Sequence, residues 1–527
     1  MMPAAARRAG KGMTMGSIQS GPEDQSRQPE PSDSGLWQPD LSGRAKPVYL
    51  AIADALADDI AIGRLAAGQR LPPQRLLADR LGLDLTTVSR AYGEARRRGL
   101  LDARVGHGSF VSAQAGPARG APPDGGPVPP ALSPTAPAAV STAMLIDMTM
   151  NQPPLPDAPE LLDRVRRGLA EAMRRLDPQT LLRYPEAGAG LPAGEEDRAA
   201  GARWLGKRLP DLGDAGRGDA GTGDTGRIVV CPGTQSALLA LLGMLTRPGD
   251  TVCTEALTYP GFKAIARQLG LRVVGVAMDC EGLDPDALSA TVAAHAPKLL
   301  YCTPTLHNPT TATLPLERRA AIAAIARSHA LPIIEDDIYG VLPQDAPPPI
   351  AALAPDMTFH VVGLAKCVAP GLRIAYVAAP DRRQATRLVA AQRATILGTP
   401  PIPAAVATRW IADGTADALL TAIRAEASAR QRMARELLPA AALTTHGQAF
   451  HLWLTLPPGW TRGEFAAFLR GHGIAAAVSD MFLTGGPAPE SLRICLGAPV
   501  GRADCRRMLD ILADALDQSP ALAGIVI

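Results

Sequence analysis

From Arg227 onward the chain alternates short apolar runs with segments long enough for helices, and this alternation constrains its fold more than any other feature. The runs are IVVC (228–231), TVCTE (251–255), RVVGV (272–276), KLLYC (298–302) and PIIED (332–336). Phe359 to Val362 and Leu372 to Ala378 add two more candidate strands. Apolar runs of this length, parted by helix-sized stretches, predict a mostly parallel α/β sheet. Parallel neighbours need a crossover connection, and their strands are buried on both faces. From about Pro401 the pattern changes: long helices (Ala404–Asp413, Ala416–Leu438) precede strands at Phe450–Leu456 and Leu492–Leu496, predicting a separate α+β lobe.

A second block lies far upstream. Pro47 to Ile62 places Leu50, Ala53, Leu56, Ala57 and Ile60 at helical spacing before Gly63 and Gly68 break it. Pro73 to Leu81 makes a second helix, stopped by Gly82, and Asp84 opens a third that runs from Leu85 to Arg98. The run LLDARVGHGSFV then reads as a hairpin with His107 at its tip, flanked by Gly106 and Gly108. Helix, helix, turn, helix, hairpin is the order of a winged helix-turn-helix. This module runs from residue 44 to 112 and carries 11 Lys and Arg against 7 Asp and Glu, while the whole chain is only +2. A basic module on a near-neutral body suits a local contact with double-stranded DNA.

The segments around these blocks are loose in composition. Residues 1–43 lack periodicity and are rich in Gly, Pro, Ser and Gln, which predicts a disordered extension. Residues 113–146 read as a linker, with Ala113 to Thr142 rich in Ala, Pro and Gly, and Gly213 to Gly226 reads as a flexible insertion. The remaining 147–527 divide into a large lobe over about 195–400 and a small lobe over about 401–527. No apolar run approaches the ~18 residues of a membrane span, and Met13 to Gln28 is polar where a secretory signal needs an apolar region. Seven cysteines without CxxC spacing argue against a disulfide framework or a zinc site and suit a cytoplasmic location.

The chemistry concentrates on Lys366, one of only six lysines against 47 arginines. It lies in VVGLAKCVAPGLRIAYVAAP, between two apolar strands, where desolvation lowers the pKa of an amine and makes it a better nucleophile. Pyridoxal 5′-phosphate needs such a lysine, a carboxylate at its pyridinium nitrogen, donors to its ring oxygen, a phosphate cup and a stacking face. Asp336 and Tyr339 in IIEDDIYG stand at the end of a strand, where α/β sheets bind ligands, and suit the ring nitrogen and the ring oxygen. The bland alternative takes Glu335 and Asp337 beside them as solvated loop acids and Asp336 as a helix cap. Asn308, in TPTLHNPTT, offers a second donor to the ring oxygen or an ordinary Asn-Pro turn. In CPGTQSALLAL, a turn at Gly233 feeds a helix whose first N–H groups form an anion cradle, with Thr234 and Gln235 adding side-chain donors. Arg373 is placed to clamp a phosphate, and Tyr259, in EALTYPG, offers a flat face or a turn anchor.

Together these residues resemble the fold-type I aminotransferases, and with the upstream module the chain resembles the MocR subfamily of GntR-type transcription regulators. The resemblance spans roughly Arg44 to Gly497. It implies that Arg493, in SLRICLGAP, grips a ligand carboxylate, and that Tyr184, in LLRYPEAG, reaches the cofactor phosphate of a partner subunit in a head-to-tail homodimer. It also implies DNA contacts from Arg75, from Thr86, Thr87 and Arg90 at the start of the third helix, and from Arg104 and His107 in the wing. Arg96 to Arg98 read either as a phosphate contact or as a solvated helix end. The chain departs from the family at Gly363 and Ala365, where hydroxyl residues often help hold phosphate, at Thr311, and at Leu85, where an arginine often reads a base. The resulting expectation is a regulator that senses an amino compound. A working aminotransferase is the alternative, and a cofactor-free DNA-binding scaffold fits the residues less well.

Overall fold

The computed structural model describes residues 37–40, 48–66, 68–97, 100–104, 108–112, 146–182, 194–215 and 225–518. The chain forms two compact units, divided between Pro137 and Ala138.

The first unit contains helices α1 (Val48–Ala61), α2 (Gln74–Leu81) and α3 (Leu85–Arg97), followed by a hairpin of β1 (Leu101–Arg104) and β2 (Gly108–Val111). The strands pair antiparallel with Leu101 opposite Val111, and Arg70 bridges to Phe110. Gly82 adopts a left-handed φ of 61° and donates its N–H to the end of α2, which is how the chain turns into α3. Ile52, Leu56 and Ile60 of α1 pack on Leu77, Val88, Tyr92, Leu101 and Val111. The buried Tyr92 hydroxyl donates to Pro72 O at 2.8 Å, so the aromatic body fills the core at no cost in unmet hydrogen bonds. Trp37 corrects the reading of residues 1–43 as wholly disordered. Its indole donates to Asp59 Oδ2 at 2.8 Å and its ring packs against the same core. A lone tryptophan in a polar stretch carries no periodicity, so the sequence pattern missed it.

The second unit opens with β3 (Ile146–Asp147), α4 (Pro159–Arg175), α5 (Pro178–Leu182), α6 (Glu195–Leu205) and α7 (Pro210–Ala215). A seven-stranded sheet follows, built from β4 (Ile228–Cys231), β5 (Thr251–Glu255), β6 (Arg272–Val276), β9 (Leu300–Cys302), β10 (Ile333–Asp336), β11 (Thr358–Gly363) and β12 (Ala375–Ala378). The strands β7 (Met278–Asp279) and β8 (Gly282–Leu283) form a separate hairpin. The sheet order is β4-β12-β11-β10-β9-β5-β6, and only β12 runs antiparallel to its neighbours. All seven apolar runs of the sequence are strands of this sheet. The last is shorter than Leu372–Ala378, because Pro370–Leu372 forms a tight turn and Arg373 takes a left-handed φ of 51°. Along β4, Ile228 and Val230 enter one core while Val229 and Cys231 enter the other, the two-residue alternation of a strand covered on both faces.

The smaller lobe is a four-stranded sheet of Leu443–Thr444, His451–Thr455, Ser491–Cys495 and Ala477–Val478, in that order. The long helix Thr415–Leu437 packs its first half in the larger lobe's core and its end in the smaller lobe, where the C-terminal helix Arg502–Asp517 also packs. Arg430, fully buried on the first of them, binds Glu426 and the carbonyls of Leu496 and Pro499. The strand β3 does not stay with the larger sheet: it pairs parallel with Ile474–Ala475, so the chain enters the second unit through the smaller lobe. Among the described residues no helix is long and apolar enough to cross a membrane.

Packing between α6 and β12 yields a test. Alanine in place of an interior helical glycine ordinarily adds about 1 kcal/mol of stability. At Gly201, however, a Cβ would stand 2.6 Å from Cδ1 of the buried Tyr376 ring. Overpacking costs roughly 1–3 kcal/mol and outweighs the propensity gain. Gly201→Ala is therefore expected to lower the urea midpoint of the second unit; a raised midpoint would show that Tyr376 yields.

Candidate functional site

The carboxyl ends of β4, β5, β9, β10 and β11 meet the smaller lobe around a cavity of about 380 Å³. Its walls bring together Lys366, Asp336, Tyr339, Asn308, Tyr259, Thr234, Gln235 and Arg493, residues that the sequence scatters over some 260 positions. Lys366 ends a tight turn that follows β11, and its Nζ donates to the backbone carbonyl of Asn151. Burial lowers its amine to about 8, with Arg493 and Arg373 pushing the same way and Asp336 pushing back. Asp336 is the last residue of β10. Tyr301 donates to its Oδ2 at 2.9 Å, while Oδ1 is buried with no partner. Burial raises this carboxyl to about 6, against the lowering effect of the Tyr301 hydrogen bond.

Opposite these groups, Gly233 turns the chain from β4 into helix α8 (Thr234–Leu245) with a φ of 88° that favours glycine. A Cβ there would lie 3.3 Å from Arg373 Nη2, so the guanidinium sits over the glycine and the helix N-terminus. Arg373 itself is exposed and lies outside the cavity walls. Thr234 Oγ1 is buried without a partner and would be 2.4 Å from a Cβ at Gly363. The missing hydroxyl at 363 thus has a physical reason: the threonine hydroxyl occupies the space a side chain there would need. Tyr259 caps helix α9 (Pro260–Gln268), receives a 3.2 Å hydrogen bond from Gln235 and lies flat over Gly261, where a Cβ would meet its ring at 2.4 Å.

Arg493, on the central strand of the smaller lobe, is 4% exposed. It donates to Asn308 Oδ1 at 2.7 Å and to the carbonyl of Thr149, stands 5.1 Å over the Phe482 ring, and has no partner at Nε. Asn151 joins the two lobes from the other side. Its amide lies 2.9 Å from the Tyr339 oxygen and 3.2 Å from His451 Nδ1. The His451 Nε2 faces the carbonyl of His307 at 3.2 Å, so this nitrogen carries the proton and Nδ1 is the acceptor. Burial keeps that ring neutral, pushing it down to about 3. Because Tyr339 accepts from Asn151, its own proton remains available to the cavity. Thr149, Asn151, Tyr301 and Phe482 had no signal in the sequence: the first two precede the sheet entirely, and Tyr301 reads as one more apolar core residue.

Glu335 and Asp337 are not loop acids. Both are fully buried, because they point to the face of β10 opposite Asp336. Glu335 accepts from the backbone N–H groups of Ile350 and Ala351 at 2.8 Å each. Asp337 accepts from Arg208 at 2.9 Å and lies 3.1 Å from His360 Nε2. Burial alone would raise Asp337, but Arg208 and His360 outweigh it and hold the carboxyl well below the usual range.

In the first unit, Arg75 on α2 and Arg90 on α3 are exposed, and Thr87 is half-buried. Arg90 stands 4.4 Å over the Tyr49 ring, a contact the sequence reading did not foresee, while Ser89 donates to Gln74 Oε1 at 2.7 Å and fixes α3 on α2. The side chains of Leu85, Thr86 and Arg104, and the residues Tyr184 and His107, lie outside the described residues.

Residues 143–512 match the family model for aminotransferase class I and II, and residues 48–111 match that for bacterial regulatory proteins of the gntR family. The chain is 29% identical over 487 residues to the uncharacterized HTH-type transcriptional regulator YdeF of Bacillus subtilis, covering 91% of this chain and 97% of that one. It is 29% identical over 445 residues to the HTH-type transcriptional regulator TauR of Rhodobacter capsulatus, covering 81% and 88%. Among solved structures it is similar to LysN, an α-aminoadipate aminotransferase of Thermus thermophilus, with a TM-score of 0.61, 22% identity, and coverage of 74% of this chain and 96% of that one.

The buried ion pair behind the cavity is expected to dominate the stability of the second unit. Asp337→Ala strands Arg208 and His360 without their anion and is expected to cost about 3–5 kcal/mol in urea unfolding at neutral pH. The folded carboxyl titrates below its unfolded value of ~3.9, so its contribution is present above that pH and fades as pH falls further. The gap between wild type and variant should accordingly narrow below about pH 4; a gap that stays constant down to pH 2 would assign the loss to packing.

Proposed function

Because the chain belongs to the aminotransferase class I and II family and carries a gntR-type winged helix ahead of that domain, we propose that it is a DNA-binding transcription regulator whose aminotransferase-like unit holds pyridoxal 5′-phosphate and senses an amino compound. The observation that carries this reading is the convergence of the half-buried Lys366 and the unpartnered Asp336 Oδ1 on one cavity, beside a glycine turn with an arginine over it.

The orphaned buried atoms fit the cofactor's requirements. Asp336 Oδ1 would accept from the pyridinium N–H, Tyr339 and Asn308 would donate to the ring oxygen, and Tyr259 would face the ring. Thr234 Oγ1, Gln235, the N–H groups that start α8 and Arg373 would hold the phosphate. When bound, the cofactor supplies an electrophilic carbon and a ring that withdraws electrons. Lys366 supplies the amine that meets that carbon, and its lowered pKa leaves a useful fraction uncharged near neutrality. Arg493 would receive the carboxylate of the amino compound, sharing it with Asn308.

DNA contact is assigned to Arg75, Thr86, Thr87 and Arg90, with Arg104 and His107 in the wing. The family's head-to-tail dimer finds support on α4, where Leu162, Leu169 and Met173 share one face and are 49%, 39% and 40% exposed. Tyr184 is assigned to the partner's cofactor in that dimer. A cytoplasmic location follows from the role. An active aminotransferase remains the second reading, favoured by the presence of Lys366, Asp336 and Arg493 in one cavity. Conversion of an amino acid with added 2-oxo acid separates the two: many turnovers per site favour the enzyme, one or none the sensor.

Borohydride reduction of the protein with its cofactor is expected to leave a pyridoxyl group on Lys366, and none forms in Lys366→Ala. The amine is uncharged above about pH 8, so the rate at which cofactor-free protein takes up the cofactor should rise through that pH and level off beyond it. An adduct on another lysine would overturn the assignment. Binding to the operator should weaken as salt rises. Arg90→Ala should narrow the gap between operator and random DNA by roughly 1–3 kcal/mol if a bidentate base contact is lost; unchanged affinities for both would leave Arg90 with its Tyr49 contact alone.

A further inference from the structure

We infer that the compound sensed is a monocarboxylic amino acid with an uncharged, apolar side chain. The inference rests on the reading just given and follows from the charges and surfaces of the cavity. Lys366 and Arg493 are the cations in its wall and Asp336 is the acid. Lys366 and Asp336 serve the cofactor, which leaves Arg493 as the one charge for the ligand among the described residues of this wall. Its buried guanidinium, with Nε unpartnered, matches one carboxylate.

The same wall includes Met150, Met481, Phe482, Pro260 and Gly261, with Phe482 under the Arg493 guanidinium. Met150 is 63% and Met481 44% exposed, so an apolar side chain laid across them removes thioether surface from water. Unbranched methionines adapt to tails of different shape, so leucine, methionine and phenylalanine should all be accepted. A second carboxylate would meet those same atoms. Arg373 is taken by the phosphate, and the Lys263 ammonium is tied to the carbonyls of Met481 at 3.0 Å and Leu483 at 2.6 Å. A second ammonium would find no acid other than Asp336 among the described residues of the wall. A charge left without a partner in a partly buried site loses affinity, so dicarboxylic and dibasic amino acids should bind far more weakly.

The test titrates the full-length protein carrying its cofactor with leucine, methionine, phenylalanine, aspartate, glutamate and lysine. Visible absorption and the thermal midpoint are the readouts. The three apolar amino acids are expected to act at concentrations at least about tenfold lower than the three charged ones, equivalent to ~1.4 kcal/mol. Equal or tighter binding of aspartate, glutamate or lysine overturns the inference. A response to none of the six, nor to simple amines, sinks the sensing role itself and this inference with it. In a second arm, Met481→Arg places a cation in the apolar wall, and glutamate binding should tighten about tenfold. Unchanged glutamate binding in that variant would remove Met481 from the surface that meets the side chain.

Discussion

Three consecutive acids stand where the central strand of the larger lobe ends, and the unit is organised around the need to bury all of them. A strand sends neighbouring side chains to opposite faces, so Glu335 and Asp337 go one way and Asp336 the other. The first two are held by hydrogen bonds from behind the sheet. Glu335 takes two backbone N–H groups, and Asp337 takes Arg208 and His360. With those faces satisfied, Asp336 is left toward the cavity with one oxygen held by Tyr301 and one open. A buried carboxylate with an open oxygen is costly in isolation, and that cost is the binding capacity of the site.

The smaller lobe completes the cavity with a different device. Arg493 is a central-strand residue, held by Asn308 from the larger lobe and by a backbone carbonyl from the segment that enters the unit. One guanidinium therefore bridges three separate stretches of chain. Glycine positions serve the same close packing. At Gly233 the backbone must turn beneath Arg373, and at Gly363 it must leave room for the Thr234 hydroxyl.

Much of this was legible in the sequence because the signals are local. Seven apolar runs became seven strands in one sheet, and the residues that end those strands or follow them converge where an α/β sheet places a ligand. Lys366 stood out through the scarcity of lysine and its apolar flanks. What escaped notice depends on contacts across long sequence distances. Asn151 touches residues 188, 215 and 300 positions away, and nothing in the text around it announces this. Tyr301 hid inside an apolar strand. The acids beside Asp336 were misread because their partners, Arg208 and His360, lie on other elements. Trp37 escaped for want of any periodic neighbours.

The entry of the chain into the second unit has a mechanical consequence. Residues 113–145 connect the two units, and Ile146 at their end is the first residue paired in the smaller lobe. Within five residues of that pairing, the carbonyl of Thr149 receives Arg493 and the carbonyl of Asn151 receives Lys366. The first described stretch of the second unit is thus held by the two cations most in demand inside the cavity. A carboxylate that claims Arg493, or a carbonyl carbon that claims Lys366, competes with the carbonyls of Thr149 and Asn151 for it.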